Sequence, residues 1–300
     1  MEAICNIIQA LLIYGADIMK RQIIGKTFDE ERALYAERDA ELIGCVFEGE
    51  ADGESALKEC EHIKITNCKF ALRYPLWHGR DFLLCDSHLT ETARAPMWYT
   101  NMATLRHSVI DGVKAIRESD DTLIESSVIR SSEFGWKCRG LKLIDSTVVS
   151  EYLFFESHDL EIRNMKMSGK YSFQYTENVS IADSVLDTKD AFWHSKNVTV
   201  TDSEIKGEYL GWYSEGLTLV NCHISGTQPL CYCKNLRLIN CTTEGCDLSF
   251  EYSDVEATVE GNILSVKNPR SGKICADSIG EIVLEDSIME SRCEIVVKNK

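Results

Sequence analysis

The sequence predicts an all-β fold, a parallel β-helix of about eleven coils with nineteen residues each. The stretch DTKDAFWHSKNVTVTDSEI (Asp187–Ile205) is followed by KGEYLGWYSEGLTLVNCHI (Lys206–Ile224), which repeats its order of residue types. A fixed short period is the signature of a solenoid. The apolar residues alternate over only three or four positions between turn-forming residues, which is typical of short strands rather than helices.

Each predicted coil carries an aromatic pair, and the first members of these pairs define the alignment. They lie nineteen residues apart except for one step of twenty-one, where Glu91–Pro96 lengthens a turn. The aligned positions are Lys58, Trp77, Trp98, Arg117, Trp136, Phe155, Gln174, Trp193, Trp212, Cys231 and Phe250. Four and nine residues later come two columns that are mostly Asn, Asp or Gly, the types that tolerate a left-handed bend. We therefore expect three short strands and three bends in every coil.

The core positions follow from this alignment. Between the two bend columns, one aliphatic residue of each coil, such as Ile65, Leu84 or Val200, is expected to point inward. After the second bend, a small residue such as Ser184 or Cys222 is expected to do the same.

One domain is expected over residues 21–300, with regular coils at about 56–260 and C-terminal capping strands at 261–300. The charged segment 20–40 is expected to be irregular or helical, and the first strand is predicted at Glu41–Phe47. Residues 1–20 have two interpretations. They are either an N-terminal extension upstream of an alternative start at Met19 or a short apolar helix that caps one end of the solenoid.

The charge of the chain narrows the range of partners. With 32 basic and 48 acidic residues, the net charge is −16. This argues against nucleic acid, whose phosphates require a basic surface, and against anionic membrane surfaces. No secretory signal is recognisable, so we expect a cytoplasmic protein.

The thirteen cysteines are expected to be thiols in such a reduced compartment. Four of them invite a zinc interpretation, namely Cys222, Cys231, Cys233 and Cys241. The chain has no C-x-x-C pair, however, and cysteine is often a small buried apolar residue. It also lacks a Gly-rich phosphate loop and an H-E-x-x-H motif. No metal and no cofactor are therefore predicted.

Several longer motifs resemble a bacterial family of uncharacterised proteins, a domain of unknown function. They are TFDEERALY, DGESALKE, RYPLWH, EFGWKC, YSFQY, DTKDAFWHSKNVTV, GEYLGWYSE and GTQPLCYCKNL, and they extend from about Ile23 to about Leu284. The resemblance implies a right-handed β-helix of the pectin-lyase-like superfamily. It implies no activity, and no catalytic residue can be transferred. The wider superfamily includes polysaccharide lyases and hydrolases, but a shared fold is a weak argument for a shared function.

The aromatic segment of each coil is the candidate for function. Successive residues of a strand point to opposite faces, and burial of unpaired charge is costly. The tryptophan column carries two charged residues in the aligned coils, whereas the column that follows it carries five. We therefore predict that the tryptophans face the core and that the His/Tyr/Glu/Lys column faces solvent. The apolar column before the tryptophans would then also lie on the surface, which counts against this assignment; it includes Leu76, Met97, Phe154, Phe173 and Phe192.

Acids, bases and flat rings occur together in this outer column, and stacked tyrosines suit sugar rings. The predicted catalytic residues are Glu118, Lys137, Glu156 and His194. The predicted ligand-binding residues are His78, Tyr99, Tyr175, Asp190 and Tyr213, of which Asp190 belongs to a second outer row with Tyr74, Tyr152, Tyr171 and Tyr209.

Two reaction types fit this column. The backbones of Glu118 and Glu156 are expected to lie roughly 9–10 Å apart. This is compatible with the ~6.5–9.5 Å between the carboxyls of an inverting glycoside hydrolase. In a lyase, Lys137, Tyr175 or His194 could act as the base.

Two functions therefore remain open from the sequence. The first is binding or processing of a carbohydrate, either an oligosaccharide or a sugar conjugate, by a lyase or glycoside hydrolase if the protein is an enzyme. The alternative is a non-catalytic scaffold that binds a protein partner or another copy of itself. In that case the charged residues are ordinary surface ion pairs of little energetic weight.

Overall fold

In the computed structural model, which describes residues 21–298, the chain winds into about fifteen stacked parallel coils. The predicted all-β parallel β-helix is therefore confirmed, but the predicted count of eleven coils is too low. The winding begins earlier and continues further than the regular repeat, because strands at both ends pair in the same way without keeping the nineteen-residue step. Our two interpretations of residues 1–20 concern a segment that lies outside the described residues.

Most coils contribute one strand to a first parallel face, and each strand pairs with its equivalents in the coils before and after it. These strands are β1 (Arg21–Ile24), β3 (Ala40–Ile43), β5 (Glu61–Thr66), β7 (Arg80–Cys85), β10 (Asn101–Arg106), β13 (Leu123–Glu125), β15 (Lys142–Ile144), β17 (His158–Arg163), β19 (Glu177–Ala182), β21 (Lys196–Thr201) and β23 (Thr218–Val220). The charged segment that we predicted to be irregular or helical carries β1. Ile23 is the residue of this strand that is buried against the core.

A second parallel face follows after one bend in each coil. Its strands are β2 (Thr27–Phe28), β4 (Val46–Phe47), β6 (Lys69–Phe70), β8 (His88–Leu89), β11 (Val109–Ile110), β14 (Val128–Arg130), β16 (Thr147–Glu151), β18 (Lys166–Lys170), β20 (Val185–Lys189), β22 (Glu204–Lys206) and β24 (His223–Ser225). Inside the solenoid, equivalent side chains of this face stack on each other, as the Phe47 and Phe70 rings do with centroids 4.5 Å apart.

The third segment of the coil differs from the prediction, because it is a tight turn in most coils. Among residues 21–298, this segment forms strands only as β9 (Met97–Trp98) and β12 (Ile116–Arg117), which pair with each other. The C-terminal part has longer strands instead, namely β25 (Leu236–Glu244), β26 (Asp254–Lys267), β27 (Ser271–Val283) and β28 (Arg292–Val297). The last of these pairs only with Ser271–Ala276 of β27.

The two columns of bend residues have the conformation that their composition predicts. Asn178 and Asn197 in the first column have φ values of 58° and 52°, and Asp183 and Asp202 in the second have 52° and 49°. Asn and Asp are the non-glycine residues best suited to this left-handed region. The inward positions predicted between and after the bends are also confirmed, since residues such as Val200 are completely buried.

Candidate functional site

The aromatic pairs lie on the outside of the tight third segment, so the prediction that the tryptophans face the core is wrong. The apolar column before them is the buried one, with Phe154 and Phe173 fully enclosed. Strict alternation fails here because the backbone is not extended. The residues on both sides of Trp193 have left-handed φ values, 61° at Phe192 and 53° at His194. Trp193 and the residue after it therefore both project outward.

We call the first outward column the tryptophan row. Its indoles are partly buried and stack on one another where they occupy adjacent coils. Trp77 and Trp98 have centroids 5.3 Å apart and planes inclined by 7°, and Trp193 and Trp212 have centroids 5.6 Å apart at 3°. Stacked aromatic pairs of this kind contribute about 0.5–1.5 kcal/mol beyond the area that they bury.

A hydrogen bond to the backbone fixes each of these indoles. Nε1 of Trp193 donates to the carbonyl oxygen of Tyr209 at 2.9 Å, and the other four tryptophans make the equivalent bond at 2.7–2.8 Å. The acceptor lies sixteen residues ahead, or eighteen for Trp77, where the lengthened turn intervenes. The sequence reasoning missed this bond because it placed the tryptophans inside.

Residues other than tryptophan fit the same row by related contacts. The Arg117 guanidinium lies between the Trp98 and Trp136 rings, 5.0 and 5.4 Å from their centroids. Such cation–π contacts strengthen as the cation is desolvated. The amide nitrogen of Gln174 donates to the carbonyl oxygen of Asp190 and so replaces an indole N–H. The row is therefore continuous in packing although its residues vary.

The next column, which we call the outer row, contains eight of the nine predicted site residues. Its exposed aromatic residues form two stacks. His78 and Tyr99 have centroids 4.9 Å apart, and Tyr175, His194 and Tyr213 follow one another at 5.0 Å with planes inclined by 7–9°. Within a stack the ring faces cover each other, so the ring edges with their hydroxyl or imidazole groups face the solvent.

Three charged residues separate the two stacks. Glu118, Lys137 and Glu156 occupy the successive coils between Tyr99 and Tyr175, and Lys137 Nζ lies 3.5 Å from a carboxylate oxygen of Glu156. Arg117 of the tryptophan row reaches Glu118, with Nε and Oε1 3.4 Å apart. We call Glu118, Lys137 and Glu156 together the charged interruption. All three of its side chains are more than 40% exposed, so the ion pairs contribute little to stability.

Six of the nine predicted residues lie outside the charged interruption, among them His194 and Asp190. The His194 ring is enclosed between two tyrosine rings, two coils beyond Glu156. Asp190 belongs by its register to the second outer row, but the structure does not leave it on the open surface as we expected. Only 9% of this residue is exposed. Burial raises the pKa of the Asp190 carboxyl, an effect that the nearby Lys189 partly offsets.

The C-terminal end of the outer row is displaced by one residue from the predicted alignment. Tyr232 donates its backbone N–H to the carbonyl oxygen of Glu251, and its ring lies 5.8 Å from that of Tyr252. Tyr252 therefore continues the row where the alignment placed Glu251. The cause is one extra residue in the coil that contains Cys246, because Gly245 and Cys246 lengthen the preceding bend.

In the described part of the chain, residues 21–298, no group of three or more His, Cys, Asp or Glu side chains could hold a metal ion. The twelve cysteines within it are all free thiols. Nor does the described part contain a helix with the length and apolar character needed to cross a membrane.

Comparison with solved structures finds similar folds at low sequence identity. One is PfbA, a surface adhesin of Streptococcus pneumoniae, at 8% identity and a TM-score of 0.40, covering 94% of this chain and 85% of that one. A second is the catalytic domain of a GH87 α-1,3-glucanase in complex with tetrasaccharides, at 11% identity and 0.37, covering 93% and 64%. A third is the A-module of the mannuronan C-5 epimerase AlgE4 of Azotobacter vinelandii, at 10% and 0.30, covering 92% and 91%.

Comparison with curated proteins finds no match. A family model does match, over residues 21–296, which is nearly the whole chain and every coil described above. The chain therefore belongs to the family described as "Protein of unknown function (DUF3737)".

Proposed function

We propose that the protein binds an oligosaccharide, or the glycan part of a sugar conjugate, across the charged interruption of the outer row. The observation that carries this proposal is the break in the ring stack between Tyr99 and Tyr175. His78 covers one face of Tyr99, and His194 covers one face of Tyr175. On the opposite side of each ring the row continues with a charged side chain, and Phe155 of the tryptophan row meets the Tyr175 ring at a steep angle, with centroids 5.5 Å apart. An aromatic face of this kind is what a sugar ring stacks against.

The dimensions of the interruption suit an extended ligand. Four coil spacings of ~4.8 Å separate Tyr99 from Tyr175, which gives a span of roughly 19 Å along the solenoid. Between the two rings, Glu118 and Glu156 can accept hydrogen bonds from sugar hydroxyls, and Lys137 can donate them. The net charge of −16 disfavours a polyanionic glycan, so the ligand is a neutral or amine-bearing chain.

Catalysis at this place would use the same carboxylates. Glu118 and Glu156 stand on either side of Lys137, two coils apart, which leaves room for a water molecule between a general acid and a general base. Each carboxylate has a cationic neighbour, Lys137 at 3.5 Å from Glu156 and Arg117 at 3.4 Å from Glu118, and one of the two would act as the general acid and the other as the general base. The products would show inversion at the anomeric carbon.

Binding can be tested by calorimetric titration of neutral and amine-bearing oligosaccharides into the wild type and single variants. Tyr99→Ala and Tyr175→Ala each remove one ring face at the interruption, and we expect about a tenfold or greater loss of affinity. Tyr213→Ala is the matched control. Its ring is similarly exposed at 46%, against 48% for Tyr175, but it lies inside a stack, so the loss should be smaller. Equal losses in all three variants, or no binding by the wild type, would contradict the proposal.

Catalysis is separated from binding by Glu156→Gln and Glu118→Gln. Either variant should retain oligosaccharide binding while turnover falls by at least about a hundredfold, the usual contribution of a general acid or base. If the wild type binds an oligosaccharide but shows no turnover, the protein is a carbohydrate-binding protein and the catalytic part of the proposal is wrong.

The alternative, a protein-interaction module, is favoured by a different surface. Beyond Ala276 the outer edge of β27 has no strand paired with it in the described chain, since β28 covers only Ser271–Ala276. Ile282, Leu284 and Ile288 near this edge are 42%, 56% and 83% exposed. Unpaired strand edges with apolar neighbours readily associate. Sedimentation analysis of the wild type and an Ile288→Lys variant tests this alternative, and a monomeric wild type without a co-purifying partner would count against it.

A further inference from the structure

A notch on the second face lies between the two long turns of the N-terminal half. The chain needs four residues from Phe70 to Tyr74 to pass from this face to the tight segment, but eight from Phe47 to Ser55 and six from Leu89 to Ala95. The two longer connections belong to the coils on either side of the short one. The connection after Leu89 forms one wall beside Ala71, which is the floor, and Glu48 at the start of the other long connection lines the opposite side. In repeat proteins, insertions of this kind often surround a binding face.

The notch has a volume of about 430 Å³, which lies within the range of small-molecule sites. Its lining is polar. Thr90 and Thr92 place their hydroxyl oxygens 2.9 Å apart on one wall, and Thr90 is also held by the carbonyl oxygen of Phe70 at 3.1 Å. Lys69 and His88 occupy adjacent coils at the base, on the strands β6 and β8.

His88 is held in place by a chain of charged contacts. Its Nε2 lies 2.8 Å from Oδ2 of Asp111, and the Arg130 guanidinium contacts both oxygens of the same carboxylate at 2.7 and 3.1 Å. Only 11% of the Asp111 side chain is exposed, whereas 44% of the His88 side chain is. This arrangement leaves Nδ1 of His88 as the ring atom available to a ligand, on an imidazole that is already oriented.

Apart from Glu91, which lines one wall without an ion pair in the described chain, the charges of the notch are balanced within the protein. Lys69 forms an ion pair with Glu48 on the opposite wall, and Asp111 is matched by Arg130. An ionic ligand would therefore have to compete with existing pairs, whereas neutral hydroxyl groups can donate to the carboxylates and accept from Lys69 or His88. A polyol that offers several adjacent hydroxyls fits this lining best.

We propose that the notch over Ala71 is a second binding site, which takes a neutral polyhydroxylated ligand the size of one or two sugar units. The site lies on the second face of the solenoid and uses none of the residues of the outer row. A failure to bind at this site would therefore not contradict the function proposed for the charged interruption, and the reverse also holds.

Three variants test this site. Ala71→Trp fills the notch from its floor, and deletion of Glu91 and Thr92 shortens one wall to the ordinary four-residue connection. Val149→Trp is the matched control, because Val149 is the 48% exposed residue of the same column, four coils away from Ala71. The Tyr99→Ala variant serves as a second control for the outer row. Circular dichroism and thermal unfolding establish that each variant is folded.

The probes are glucose, N-acetylglucosamine, glucosamine and glucuronate, and the readout is ligand-observed NMR saturation transfer with affinities from titration. We expect one of the two neutral probes to bind the wild type more tightly than the charged ones. Ala71→Trp and the deletion should weaken it by about tenfold or more, and Val149→Trp and Tyr99→Ala should not. The proposal is overturned if no probe binds, if the charged probes bind better, or if Ala71→Trp leaves binding unchanged. It is also overturned if Tyr99→Ala abolishes the binding, which would place the ligand on the outer row.

Discussion

The side-chain amide of Gln174 donates a hydrogen bond to the carbonyl oxygen of Asp190, with Nε2 and the oxygen 3.1 Å apart. In five other coils an indole N–H makes this bond. Gln174→Trp should therefore keep the bond and add ring contacts with Phe155 and Trp193. We expect the free energy of unfolding to rise by about 0.5–1.5 kcal/mol, measured by urea denaturation.

Gln174→Leu is the matched control for this prediction. Leucine keeps the apolar contacts of the Gln174 methylene groups but leaves the backbone carbonyl of Asp190 without its hydrogen-bond donor. The free energy of unfolding should therefore fall by about 1–3 kcal/mol. If Leu and Trp at this position have the same stability, the hydrogen bond is not what fixes the row.

At the left-handed bends, we expect glycine to destabilise the protein less than alanine, which is the reverse of their usual order. At Asn197, with φ at 52°, alanine should cost about 1–2 kcal/mol because its Cβ is strained in this region. Glycine, normally the more destabilising residue within a regular element, should cost less than alanine here. Thermal unfolding of Asn197→Ala and Asn197→Gly measures the difference, and an alanine variant at least as stable as the glycine variant would refute it.

The buried Asp190 carboxyl predicts a pH dependence of stability. Burial raises its pKa in the folded protein above the ordinary value of 3.8. The folded state therefore binds the proton more tightly than the unfolded state. The stabilising contribution of this group is complete below pH 3.8 and is lost as the pH rises through the raised folded pKa.

Asp190→Asn removes the carboxylate that is costly to bury in its charged form, so the variant should be more stable than the wild type at pH 7 and lose that advantage as the pH falls below 4. Denaturation curves at both pH values measure the effect. Asp187→Asn is the control, because Asp187 is exposed on the second face. A constant difference between Asp190→Asn and the wild type at both pH values would disprove the assignment.

Burial also predicts which thiols resist modification. It raises the pKa of Cys60 and of Cys138 to about 12, so almost no thiolate exists at pH 8, and alkylation requires the thiolate. Iodoacetamide should leave both residues unmodified in the native protein and label them after unfolding. Cys275, which is only partly buried, should be labelled sooner; mass spectrometry of tryptic peptides reports the order.

The bends and the inner columns were predictable because each of these backbone positions accepts a narrow set of residue types. Asn, Asp and Gly mark left-handed positions, and a residue such as Val200 lies between two of them. The orientation of the tryptophans was not predictable from alternation, because Phe192 and His194 leave the extended conformation on both sides of Trp193. Their exposure follows from the turn, and the fully apolar column before them was the signal that favoured the correct assignment.

The residues of the outer row were predictable as a set, since the nineteen-residue step brings equivalent positions together. The stacking order was not, because it depends on which adjacent coils both carry rings. His88, Asp111 and Arg130 were missed altogether. They belong to different coils and form no motif, and only the two extra residues at Glu91–Pro96 hinted at their location.

From β10 to the start of β26, each first-face strand is offset by nineteen residues from its neighbour. A coil in this region is therefore an interchangeable module, and gain or loss of a whole one leaves every junction between neighbours intact. Duplicating the coil that contains Lys137 would move Tyr99 and Tyr175 apart by one further spacing of ~4.8 Å. The number of coils between these tyrosines therefore determines the length of ligand that the surface can accommodate.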